Sequence, residues 1–264
     1  MQRARGIGRL AARSPGDRTR LDVLYQEGCA KIRLPNTHRP GMEAVLINTA
    51  GGLTGGDRLD WDLDIGGDAE LVVTTQACER VYRSTGPEAC IETRLTAGPG
   101  ARLDWLPQET ILFERGHLRR SLSVDLAPGA IFTAIEAVLL GRDAMGEDAR
   151  GARFSDSWRI RRDGRLIHAE ATTLGGHDRE RDGSGLLAGA RAFATIVHCG
   201  PNTDRRLERI RQLTAGHETI GSSATADRLV VRIMAGTGLA LRRLIVPILH
   251  DLSSAGALPR LWHS

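Results

Sequence analysis

Residues Leu59-Asp60-Trp61-Asp62-Leu63-Asp64-Ile65 alternate without a break between apolar and acidic side chains. Successive side chains of a strand point to opposite faces, so Leu59, Trp61, Leu63 and Ile65 share one face and the three aspartates the other. The segment reads as a half-buried strand. Similar short runs recur at 43–48, 69–75, 89–97, 101–106, 119–126, 130–140, 157–162, 165–173 and 191–199. Gly66-Gly67-Asp68, Gly98-Pro99-Gly100, Pro128-Gly129 and Asp163-Gly164 punctuate them with turn residues, in keeping with 31 glycines in the chain. Strands at this spacing predict an all-β sandwich, barrel or solenoid.

Two segments break the rhythm. Pro201-Asn202-Thr203-Asp204 offers capping residues, and Leu207, Ile210 and Leu213 then recur every three residues among charged neighbours, which predicts a surface helix. After a strand at 229–234, Gly238 to Leu252 places Leu241, Leu244, Ile245, Ile248, Leu249 and Leu252 on one helical face, with Pro247 expected to kink or break it. Such a stripe either docks on the chain's own core or fills a partner's groove. Leu244, Ile245, Ile248 and Leu249 are the candidate partner-binding residues. The opening MQRARGIGRLAARS has no acid before Asp17, a composition shared by transit peptides and frayed tails. Residues 1–18 are therefore expected to be a flexible tail, and 19–264 a single domain, since neither a repeat nor a linker-like composition shift interrupts them.

The formal charge of +4 arises from 36 basic residues interspersed with 32 acidic ones, and only 4% of residues are aromatic. Without a long basic run or stacking platforms, a mixed solvated surface fits better than a nucleic-acid interface. Cys29, Cys78, Cys90 and Cys199 form no Cys-x-x-Cys pair and follow no signal peptide, which excludes a zinc knuckle or disulfide framework and makes the cytoplasm the default location. No run of about 18 apolar residues is present to span a membrane.

The glycine-rich Gly51-Gly52-Leu53-Thr54-Gly55-Gly56-Asp57 follows an apolar strand. It has neither the glycine order of a dinucleotide site nor the Lys-Ser/Thr of a P-loop. Two readings stand: a strand corner whose Asp57 caps backbone amides, or a functional cradle. In Thr74-Thr75-Gln76-Ala77-Cys78-Glu79-Arg80-Val81-Tyr82-Arg83-Ser84, Cys78 has no adjacent histidine to activate it, and Ser84 lacks a nucleophile-elbow context. His168 and Glu170, two apart on a strand, share a face and could offer one nitrogen and one oxygen ligand, but no set of three or four closely spaced metal ligands accompanies them. Glu147 lies in a polar connector. On residues alone, a β-rich enzyme or sugar-binding module using the corner at 51–57 and the His168/Glu170 face is one alternative.

Four motifs occur in a telling order: Leu46-Ile47-Asn48 leading into GGLTGGD, then TTQACERVYRS, then Trp105-Leu106-Pro107-Gln108-Glu109-Thr110-Ile111, then Leu140-Gly141-Arg142 through Met145-Gly146-Glu147. Together they resemble the UreD (also UreH) family of urease accessory proteins, from about Arg20 to beyond Arg243. One departure is Arg80, where the family pattern has a lysine; it keeps the charge but not a deprotonatable amine. The resemblance implies a mostly β, elongated helical-β or stacked-sheet architecture with two α-helices near the C-terminus. It also implies a non-enzymatic role in placing nickel in apo-urease, with the urease structural subunits, UreF and, through UreF, the GTPase UreG as partners. No tightly bound cofactor is expected, only transient Ni2+. The positions matching the family's polar passage are Asp57, Ser84, Asp143 or its neighbour Glu147, and Glu170, the candidate metal conduit.

Overall fold

A computed structural model of the chain describes residues 3–37, 39–142, 145–175, 179–253 and 258–263. The strands are β1 (Arg5–Arg13), β2 (Arg20–Gly28), β3 (Ala30–Arg33), β4 (Met42–Asn48), β5 (Arg58–Ile65), β6 (Glu70–Thr75), β7 (Glu79–Val81), β8 (Ala89–Ala97) and β9 (Arg102–Leu106). They continue with β10 (Thr110–Leu112), β11 (His117–Leu126), β12 (Ile131–Leu140), β13 (Arg153–Arg162), β14 (Arg165–Leu174) and β15 (Ala192–Cys199). Helix α1 (Thr203–Leu213), strands β16 (Ile220–Ala224) and β17 (Leu229–Ala235), and helix α2 (Gly238–Leu252) complete the order.

From β4 to β13 the chain winds between two stacked sheets. A seven-stranded sheet has the order β14-β13-β11-β8-β5-β1-β2; the larger one runs β16-β17-β15-β12-β9-β6-β4-β3, with β10 branching from β12 and β7 pairing β10. Neighbours in the middle of each sheet are parallel, as in β5 with β8 and β6 with β9, and the outer pairs β1–β2 and β13–β14 are antiparallel. This is the helical β stacking that the resemblance implied. The period-two pattern explains it: Leu59, Trp61, Leu63 and Ile65 of β5 stand in register with Ile91, Thr93, Leu95 and Ala97 of β8, so each turn of the winding lays its inward residues on the previous turn's.

A second core lies between the larger sheet and the two helices, where Ile135, Ile196 and Ile233 meet Leu241, Ile245, Ile248, Leu249 and Leu252. Strand β12 is consequently covered on both faces, which accounts for its nearly unbroken apolar run. His198 anchors the helical layer: its Nδ1 lies 3.0 Å from Thr133 Oγ1, which donates to the carbonyl of Leu252. Burial pushes this imidazole down to about 3, so it is neutral. Arg242 of α2 donates to Gln108 and Glu109 and to the Leu261 carbonyl, and stacks over Trp262, tying the chain's end to the WLPQET segment.

Several expectations are corrected. The expected tail contains β1, paired with both β2 and β5. Its inward Gly6 and Gly8 are small because the facing side chains are large: a Cβ on Gly8 would stand 2.3 Å from the Trp61 ring. Helix α2 continues through Pro247 without a break. The Leu244, Ile245, Ile248 and Leu249 stripe is not a free surface, since Ile245, Ile248 and Leu249 are buried in the second core and Leu244 packs against its edge. Asn202 precedes α1 in a left-handed conformation, and its side chain makes no capping bond. Strands β2, β3, β7, β10 and β16 were not evident from the sequence.

Candidate functional site

A row of polar side chains runs through the otherwise apolar space between the sheets. In its middle Arg120 of β11 makes a two-pronged contact with Asp156 of β13, Nε to Oδ1 at 3.2 Å and Nη2 to Oδ2 at 2.8 Å. The same guanidinium reaches the opposite sheet, donating to Glu136 of β12 and, at 3.1 Å, to Thr110 of β10. Trp105 and Trp158 each donate an indole N–H, 3.0 Å from Glu136 Oε1 and Asp156 Oδ2 respectively. All three charged residues are at most 7% exposed.

The row extends both ways from this triad. Thr110 is the register partner of Glu79 in the parallel pair β7–β10, so both side chains face the same space. Glu79 in turn accepts from Asn48 Nδ2 at 3.1 Å, at a cleft of about 240 Å³ that the glycine corner and Cys78 help to line. On the other side Thr195 of β15 stands opposite Glu136 and donates to Glu170 Oε1 at 3.1 Å. Arg232, exposed at the rim, donates to Glu170 Oε2 at 2.9 Å. The seam thus connects Asn48 and Glu79 with Glu170 and Arg232 by way of Thr110, Arg120, Glu136 and Thr195.

Electrostatics differ along it. Burial pushes the Glu79 carboxyl up to about 7, with the Asn48 amide opposing. Burial also raises Glu136, against the pull of Arg120, while Arg120 is itself held charged because its two carboxylates outweigh the cost of burying it. Glu170 behaves oppositely. Burial would raise its carboxyl, but contacts with His168, Arg232 and Thr195 outweigh that and keep it below its ordinary value. His168 Nε2 lies 3.4 Å from Glu170 Oε2, close to it but without the geometry of a hydrogen bond. Among the described residues, no group of three or more His, Cys, Asp or Glu side chains could hold a metal ion.

The chain matches the family described as UreD urease accessory protein over residues 4–263. It is 59% identical over 262 residues to a urease accessory protein UreD of Chelativorans sp. (strain BNC1), covering 99% of this chain and 95% of that protein. The homonymous proteins of Rhizobium rhizogenes (51%, covering 99% and 96%) and Agrobacterium fabrum (49%, covering 99% and 92%) are similar over the same extent. The chain belongs to the UreD family of urease accessory proteins.

Within this UreD chain the expected conduit residues do not gather in one place. Both oxygens of Asp57 accept backbone amides at 2.8 Å, from Ala4 and Thr54, so Asp57 closes the glycine corner and pins β1 to it. Ser84 sits beside that corner, donating to the Pro87 carbonyl at 2.9 Å. Glu147 accepts from the Glu114 amide and pairs with Arg142. Asp143 lies outside the described residues. Of the described ones, only Glu170 touches the seam. Glu79, Arg120, Glu136 and Asp156 escaped the sequence reading, although each of the last three had a signal: a charged residue in the inward, apolar phase of its strand, as in Leu118-x-Arg120-x-Leu122, Ala134-x-Glu136-x-Val138 and Phe154-x-Asp156-x-Trp158. Cys78 donates to Glu109 Oε2 at 3.4 Å, and burial pushes its thiol up to about 11, so it is no nucleophile near neutral pH. No helix among the described residues is long and apolar enough to cross a membrane.

Proposed function

We propose that this chain acts in the cytoplasm as a non-catalytic scaffold for loading nickel into apo-urease, binding the urease structural subunits and recruiting UreF and, through UreF, the GTPase UreG. The observation that carries the reading is full-length kinship with proteins named urease accessory protein UreD. The seam supports a route for the cargo. Its carboxylate and hydroxyl oxygens are hard donors that a Ni2+ ion leaves more readily than thiolates or clustered imidazoles. A dication crossing an apolar interior needs such groups at intervals to offset its desolvation.

Arg120 has a defined part in this mechanism. With no ion present, its guanidinium satisfies Glu136 and Asp156, which would otherwise be unpaired buried charges. A passing cation competes with it for those carboxylates, and the guanidinium must swing aside for the ion to be held there. Asp57 and Ser84 support the route indirectly, by fixing the glycine corner beside the Glu79 cleft.

Deleting the chain in urease-producing cells should leave urease assembled but poor in nickel, measured as metal per purified urease. Fully nickel-loaded, active urease in the deletion strain would overturn the proposal.

A further inference from the structure

Three of the sequence motifs converge at a place the seam does not use. Strands β7, β10 and β12 are parallel and in register, with Val81 opposite Leu112 and Leu112 opposite Leu140. Their carboxyl ends therefore emit three loops side by side, beginning with Tyr82-Arg83, Phe113-Glu114-Arg115 and Gly141-Arg142. Together with Glu147 these line an open cleft of about 630 Å³.

The floor of the cleft is aromatic. Tyr82 and Phe113 meet edge to face with centroids 5.0 Å apart, and the Arg142 guanidinium lies 4.7 Å over Phe113. Tyr82 is held in place by the glycine corner: Gly52 has φ +146, and a Cβ there would stand 2.4 Å from the tyrosine ring. The charges do not balance. Glu147 is engaged by Arg142 and the Glu114 amide, and Glu114 accepts from the Gly151 amide at 3.0 Å. Arg83 and Arg115 are exposed, and neither has a carboxylate partner among the described residues.

We infer that this cleft is a docking site for an acidic, extended segment of a partner protein, whose carboxylates pair with Arg83 and Arg115 while an apolar or aromatic side chain rests on Tyr82 and Phe113. Arginine and tyrosine are residue types on which binding energy concentrates. Arginine offers a planar fork that suits carboxylates better than lysine would. The Tyr82-Arg83 and Phe113-Glu114-Arg115 segments, leaving in-register strands, lose little freedom when a chain lies across them.

The test does not depend on urease. A fluorescein-labelled decaglutamate peptide carrying one central tryptophan is titrated into the purified full chain, with a decaglutamine peptide of the same design as its neutral counterpart. The glutamate peptide should bind, the glutamine peptide should bind at least about tenfold more weakly, and Arg83→Glu and Arg115→Glu should each weaken glutamate-peptide binding about tenfold. Arg94→Glu, a charge reversal on the outer face of β8, should leave it within about twofold, and all three variants should melt like the parent because the sites are exposed. No binding by the parent chain, equal binding of the two peptides, equal loss in Arg94→Glu, or release of the peptide by equimolar inorganic phosphate would overturn the inference.

Discussion

Arg120 of the smaller sheet and Glu136 of the larger one form a buried ion pair across the interface between the sheets, both nearly without solvent exposure. With Asp156 completing the triad, removing the cation leaves two buried carboxylates unpaired. Arg120→Met should therefore cost about 3–5 kcal/mol in urea unfolding. Replacing all three at once, as Arg120→Met with Glu136→Gln and Asp156→Asn, should recover much of that loss, because no naked charge then remains. A loss below about 1 kcal/mol in the single variant would mean that water reaches the triad.

Asp57 bears on how the glycine corner is read. Both of its oxygens accept backbone amides, one of them from Ala4 at the entrance to β1. Asp57→Ala strands two donors and loosens the first strand, at a cost of about 1–3 kcal/mol. Soluble protein should fall while nickel per urease, normalised to this chain's abundance, stays constant. Reduced nickel at unchanged abundance would instead return Asp57 to the conduit.

Glu79 gives a pH dependence with a definite sign. Burial raises its carboxyl from an ordinary 4.5 to about 7. Between those values the folded chain keeps the proton that the unfolded chain has lost, so the folded state binds more protons there and stability falls as pH rises. The penalty is complete above about 7 and of the order of 3 kcal/mol. Glu79→Gln keeps an acceptor for Asn48 but cannot ionise. It should flatten this part of the profile between pH 5 and 8 and be more stable than the parent at pH 8, as read from denaturant midpoints.

What the sequence made legible follows from side-chain contrast. Leu59 to Ile65 announces its strand because large apolar and acidic residues alternate. β1 gives no such signal, since Gly6, Gly8, Leu10 and Ala12 are its inward residues and Trp61 fills the space that Gly8 leaves. β7 and β10 are three residues each, too short to show a period; β12 offers β10 an edge, and β10 offers one to β7. The apolar stripe of α2 was plain, but whether it met the chain's own sheet or a partner depended on Ile135, Ile196 and Ile233 on the hidden face of that sheet. The seam was missed for a related reason. A lone acid in an apolar strand reads as a local blemish until its partners, 16 and 36 residues from Arg120, are brought opposite it.

The buried stripe changes what its mutation should do. Ile248 is 1% exposed in the second core, so Ile248→Asp buries an unpaired carboxylate among apolar side chains. It should abolish soluble expression, with a cost above about 4 kcal/mol. Leu244, at the edge of that core, should tolerate aspartate with a smaller loss and retain a cooperative melt. Loss of UreF co-purification in Ile248→Asp would then report unfolding rather than a lost contact. A folded Ile248→Asp chain by circular dichroism would contradict this placement.

Glu170 is where the route itself can be tested. Among the described residues it is the one expected conduit position that meets the seam, and contacts with His168, Arg232 and Thr195 hold its carboxyl below its ordinary value. Glu170→Gln keeps the shape and an acceptor for Thr195 but removes the charge. If nickel passes along the seam, urease from cells carrying this variant should hold several-fold less nickel, while the variant's abundance and its pull-down of urease subunits and UreF match the parent. Arg232→Gln controls for stability, because it breaks the same ion pair from the exposed side, where such pairs contribute at most about 1 kcal/mol, and leaves the carboxylate in place. It should load nickel normally. Equal nickel in parent and Glu170→Gln would place the ion's path outside the seam, and equal losses in both variants would make the ion pair, not the carboxylate, the element that matters.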